Sequence, residues 1–126
     1  VDKSKRKIDT LAKNDKKINC NLIYIDGIEK NHVEKRKAQR AITHEMLKIA
    51  IIYGKSFHSH GAKKHIITDR CLLNTIYEPY IDKLRGLSVV SLKQNDSLYA
   101  IVTTYWDIKI RSKKFNYAFN NNRSRI

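Results

Sequence analysis

Leu87-Ser88-Val89-Val90-Ser91-Leu92-Lys93-Gln94-Asn95-Asp96-Ser97-Leu98-Tyr99-Ala100-Ile101-Val102-Thr103-Thr104-Tyr105-Trp106 is the stretch that decides the fold. A β-branched run from Leu87 to Leu92 and a second from Leu98 to Trp106 flank the turn residues Gln94, Asn95 and Asp96. This pattern predicts a β-hairpin. Alternation puts Thr103 and Tyr105 on one face of the second strand and Thr104 on the other. Beyond it, Ile108 and Ile110 alternate with Lys109 and Arg111, which extends the sheet pattern from Asp107 to Lys113.

Working back from the hairpin, Lys64 to Thr68 reads as a strand, and residues 55–62 read as a loop or an edge strand. Residues 69–77 are ambiguous and fit a short helix stopped by Pro79. Two helices precede them. The first covers Glu29 to Gln39. The second has Thr43 as N-cap, Glu45 in its first turn, an apolar face of Leu47, Ala50 and Ile51, and Gly54 as C-cap. A short strand, Asn21 to Ile25, ends at Asp26-Gly27. There is no internal repeat, and helices come before a meander. The expected fold is α+β, with N-terminal helices packed on one face of a twisted antiparallel β-sheet. A single domain, 18–115, is expected between a basic N-terminal segment, 1–17, and a basic tail, 116–126. The N-terminal segment reads either as a docked helix or as an RNA-contacting arm or linker.

The chain has 126 residues, with 26 Lys and Arg against 12 Asp and Glu, a net charge of +14. That length fits one modest core and one domain. Apolar residues are 41% of the chain, enough to fold. No run of about 18 apolar residues exists, so no spanning helix is expected, and the charged N-terminus has no signal-peptide core. The charge favours a polyanionic partner. Much of it sits at the ends: residues 1–17 hold seven cations and three acids, and 109–126 hold six cations and no acid. Cys20 and Cys71 stand far apart in sequence and fit reduced thiols in a reducing compartment, with a single disulfide as the alternative.

Three constellations could carry chemistry. His58, His60 and His65 form an H-x-H-x4-H string that matches no strong metal pattern, so no metal and no other cofactor is expected. His32, Arg36 and Arg40 recur every four residues and share one helix face. That set suits metal-free RNA cleavage: a histidine moves a proton near neutral pH, and arginine forks bind phosphate oxygens. The competing reading is a solvated basic face. The third set is Thr103, Thr104 and Tyr105, where a strand hydroxyl could orient a phosphate. Trp106, Phe115, Tyr117 and Phe119 lie among Lys109, Arg111, Lys113 and Lys114, a mixture suited to RNA binding or to core aromatics with a basic rim.

The segment His32-x3-Arg36-x3-Arg40-Ala41-Ile42, followed by a helix ending Ile52-Tyr53-Gly54-Lys55, resembles a family of small bacterial domains grouped with RelE-like and BrnT-like toxins. His60-Gly61-Ala62, Leu87-Ser88-Val89-Val90 and Ile101-Val102-Thr103-Thr104 look similar too, so the likeness covers about residues 30–114. The chain departs from the pattern where Ala41 stands in place of Gly. The resemblance implies a barnase/EndoU/colicin/RelE-type fold and a metal-independent ribonuclease toxin cleaving tRNA or another structured RNA. It also implies an acidic cognate immunity protein or antitoxin, as for toxin domains of contact-dependent growth inhibition proteins. Action would be in the bacterial cytoplasm, with delivery from outside within a larger secreted protein as one route. His32 would be base or acid, Arg36 and Arg40 phosphate clamps, and His60 a second proton-transfer group. Thr103 or Thr104 would position the phosphate, and Lys109, Arg111, Lys113 and Lys114 would steer the RNA. The alternative is a non-catalytic basic nucleic-acid-binding module.

Overall fold

The computed structural model describes residues 3–24 and 41–112. Helix α1 (Lys3–Asn14) leads to β1 (Asn21–Tyr24), then α2 (His44–Tyr53), β2 (Lys55–Ser59) and β3 (Ala62–Ile66). A connection follows with α3 (Asp69–Leu72), a 3-10 turn (Glu78–Tyr80) and α4 (Ile81–Leu84). The hairpin β4 (Leu87–Lys93) and β5 (Leu98–Trp106) comes next, then the short α5 (Ile108–Arg111). The fold is α+β, as the sequence predicts. The expected helix at 29–39 lies outside the described residues.

The five strands form one sheet in the order β1-β5-β4-β3-β2. β2 to β5 are antiparallel, as expected, but β1 joins β5 in parallel, with Asn21 beside Leu98 and Tyr24 beside Ile101. The sheet is therefore mixed. Strand direction is set by where the connection re-enters the sheet, which a four-residue strand's own sequence does not encode.

One sheet face carries the core. Leu87, Val89 and Ile101 meet Met46, Leu47, Ile49, Ala50 and Ile51 of α2. Leu72, Tyr77, Ile81 and Leu84 close the same cluster, and Ile8 and Ala12 of α1 enter it, so α1 is one layer of this domain. Each large side chain so buried contributes roughly 1.5–3 kcal/mol. Thr43 caps α2 as expected: its Oγ1 accepts the Met46 N–H at 3.2 Å and donates to Asp9 at 2.7 Å, tying α2 to α1. Asp15, just past α1, accepts the Tyr53 and Tyr77 hydroxyls at 2.6 and 2.9 Å. Burial opposes its charge, but those hydrogen bonds and the Lys17 backbone outweigh it, so its pKa is lowered.

Two local expectations change. Gly54 closes α2, donating to the Ala50 carbonyl at 2.9 Å, but its φ of −69° is not left-handed. Glycine is needed there for space, since a Cβ would run into that carbonyl. The stretch after Trp106 is not a strand. The Asp107 carboxylate accepts the Ile110 N–H at 3.1 Å and its N–H donates to Gly86 at 2.7 Å. This N-cap turns the chain into α5, and its capping bond outweighs the Ile/Lys alternation. Ala41, where the resemblance expects glycine, has a φ of +55°.

Candidate nucleic-acid interface

The β2–β3 turn fixes the register of the outer sheet. His60 and Gly61 both have positive φ, 49° and 82°, which makes a two-residue type I′ hairpin loop. Counted from that turn, cross-strand rows run through all four antiparallel strands. One row is Phe57, Lys64, Val90 and Thr103, and the next is Lys55, Ile66, Ser88 and Tyr105. Paired residues share a face. These rows lie opposite the core cluster, which contains neither Ile66 nor Ala100.

On this face Lys64 Nζ sits 5.3 Å from the centroid of the Tyr105 ring, and Lys55 Nζ sits 5.3 Å from that of Phe57. Both distances are within cation–π range. Phe57 is 41% exposed, and Thr103 and Tyr105 are half-buried. Ile66 and Ser88 of the second row are buried, while Lys64 is half-buried and Lys55 exposed, so the accessible part is a set of ammonium groups, ring edges and one strand hydroxyl of the kind that meets phosphates and unstacked bases. Sequence reasoning placed Thr103 and Tyr105 on one face but missed Lys55, Phe57 and Lys64. The i, i+2 spacing of Lys55 and Phe57 is the available signal, and only the register brings Lys64 to Tyr105.

The core-side row is Ser56, His65, Val89 and Thr104. His65 is 2% exposed. Its Nδ1 pairs with the Ser56 hydroxyl at 3.0 Å and its Nε2 with Ser91 at 3.2 Å. Burial, then the charge of Lys63, pushes its pKa down to about 4, so the imidazole is neutral at pH 7. With both nitrogens occupied, His65 does not join His58 and His60. Among the described residues, no group of three His, Cys, Asp or Glu side chains could hold a metal ion.

Thr104 is also fully buried on this row. The register shift between Val90 and Ser91 leaves Val102 as an extra residue in β5. That bulge keeps both Ile101 and Thr104 on the core side. The hydroxyl available at the surface is therefore that of Thr103, not Thr104. His60 is exposed at the hairpin tip. It lies in the β2–β3 turn and Thr103 on β5, with β4 between β3 and β5. The described structure does not bring His60 and Thr103 side by side. Lys109 is exposed on α5. Arg111 is fixed: it donates to the Arg85 carbonyl at 2.7 Å and lies 4.5 Å from the Trp106 ring. His32, Arg36, Arg40, Lys113 and Lys114 lie outside the described residues.

Both cysteines are free thiols, Cys20 buried and Cys71 half-buried. Among the described residues no helix is long and apolar enough to cross a membrane. No family model, no curated protein and no solved structure matches the chain.

Proposed function

We propose that the protein binds RNA across the sheet face opposite its core and cleaves it without a metal, as a ribonuclease toxin. The observation that carries the binding half is the pair of cation–aromatic contacts, Lys64 on Tyr105 and Lys55 on Phe57, in adjacent rows. Single-stranded or looped RNA suits such a face, because splayed bases stack on rings while lysines meet the backbone. The net charge of +14 supplies long-range attraction. The cleavage half rests on the spacing of His32, Arg36 and Arg40, which supplies one proton-transfer group and two phosphate clamps. An acidic immunity protein and a site of action in the bacterial cytoplasm belong to the same reading.

The test uses purified protein, labelled tRNA and excess EDTA. Cleavage should persist with the chelator and disappear in His32→Ala. Intact RNA that is nevertheless bound would decide for the second reading, a non-catalytic RNA-binding module. The second reading draws support from the face itself, whose two rows contain no proton-transfer histidine.

A further inference from the structure

Among the described residues, the outer strand of the sheet, β2, has one side without a partner strand. Among those residues β2 pairs with β3 only, and all five of its own are exposed. Backbone groups in an antiparallel ladder alternate between the partner strand and the outside. In a hairpin with a two-residue loop, the residues flanking the loop form a hydrogen-bonded pair. Here that pair is Ser59 with Ala62, so Lys55, Phe57 and Ser59 bond inward. The N–H and C=O groups of Ser56 and His58 point outward. Edge strands are commonly blunted by shortness, lysines, proline, a bulge or an inward-pointing charge; β2 is five residues long and carries its one lysine, Lys55, at its first position. β2 has no proline, and its pairing with β3 runs without a register shift.

The charge around this edge is one-sided. Residues 54–68 contain Lys55, Lys63 and Lys64, three histidines, and no Asp or Glu. Lys55 and Lys64 lie on the face opposite the core, and Lys63 with His58 on the other, so a carboxylate on either face of an added strand meets a cation. A second copy of this chain would bring +14 against +14, which opposes self-pairing.

We infer that the outer edge of β2 is a docking edge for an extended acidic segment of a partner protein, which adds as a sixth strand beside Ser56 and His58. Main-chain bonds would supply the affinity and the flanking cations the preference for acid. The inference does not depend on RNA binding. Where both hold, the added strand lies beside Lys55 and Phe57 and obstructs the RNA face.

The test titrates isotope-labelled protein with the blocked peptide Glu-Val-Glu-Val-Glu-Val and with its Lys-Val counterpart. Only the acidic peptide should slow hydrogen exchange at the Ser56 and His58 amides, leaving Phe57 unchanged. His58→Pro removes an outward donor at a position where edge strands tolerate proline. It should weaken the peptide about fivefold to tenfold while exchange protection in β3 to β5 stays as in the unsubstituted protein. Three results overturn the inference: equal binding of both peptides, unchanged exchange at Ser56 and His58, or a dimer in sedimentation that His58→Pro dissolves. RNA affinity measured on the same variant separates the two proposals, since His58→Pro leaves Lys55, Phe57, Lys64 and Tyr105 in place.

Discussion

Stacking and charge on the sheet face should separate cleanly in two single substitutions. Phe57→Ala removes a ring from an edge strand where it is already 41% exposed. Its cost to folding should stay near or below about 1 kcal/mol, well under the roughly 3–5 kcal/mol of a buried Phe→Ala change. Its cost to binding should be larger, because stacking on an aromatic is worth about 1–3 kcal/mol per base, a loss of about fivefold to about 150-fold. That loss should be the same at every salt concentration. Lys64→Ala behaves differently. Removing one phosphate contact to a single strand lowers the slope of log affinity against log salt by about 0.7. Between about 50 and about 200 mM salt, the deficit relative to the unsubstituted protein should therefore shrink about 2.6-fold. The assay is fluorescence anisotropy with a short labelled single-stranded RNA over that salt series. A Phe57→Ala protein that binds as tightly as the parent would refute the placement of RNA on this face. So would a Lys64→Ala protein with an unchanged slope.

Arg85 is 4% exposed and holds two acids of different burial, Asp69 at 11% and Asp82 at 60% side-chain exposure. Asp69→Ala should cost about 1–3 kcal/mol in denaturant unfolding, because it removes the acceptor of the buried Nε and Nη2 while Asp82 still holds Nη1, and Asp82→Ala less than about 1 kcal/mol; similar losses for the two would contradict the burial argument. His65 has a folded pKa of about 4 against an ordinary value of 6.5. Below the ordinary value the unfolded chain binds the extra proton, so stability is full above about pH 6.5 and falls as pH drops towards the folded value, by at most on the order of 3 kcal/mol. His65→Gln should flatten that slope, and an unchanged slope would assign it to other groups. Gly86 has a φ of +85°, and a Cβ there would press on the Arg111 side chain and the Asp107 carbonyl. Gly86→Ala should lower stability by about 1–3 kcal/mol, read as a fall in Tm.

The elements with strong local signals were legible. The β4–β5 hairpin announced itself by two β-branched runs around Asn95, whose side chain accepts from the Ser97 and Leu98 amides at 3.0 Å each. The Thr43 cap and the apolar face of α2 were equally plain, since capping and amphipathic period are local properties. The segment after Trp106 was misleading, because Ile/Lys alternation over so few residues fits a strand as well as one helical turn. At the candidate site, the Thr103/Tyr105 pair followed from alternation. Its lysine and phenylalanine neighbours did not, because they come from strands some forty residues away in sequence.

The sequence by itself determined the α+β class, the hairpin, the cap of α2 and the excess of positive charge, because each follows from residue type and short-range spacing. The tertiary structure alone decided that β1 enters the sheet in parallel and that His65 is a buried neutral imidazole between two serines. It also decided that Thr104 is lost to the core while Thr103 reaches the surface. The physical reason is register: one extra residue at Val102 sets which side chains share a face, and cross-strand pairing sets which lysine meets which ring. The charge count followed from composition, and the register decides which lysines and rings share one face.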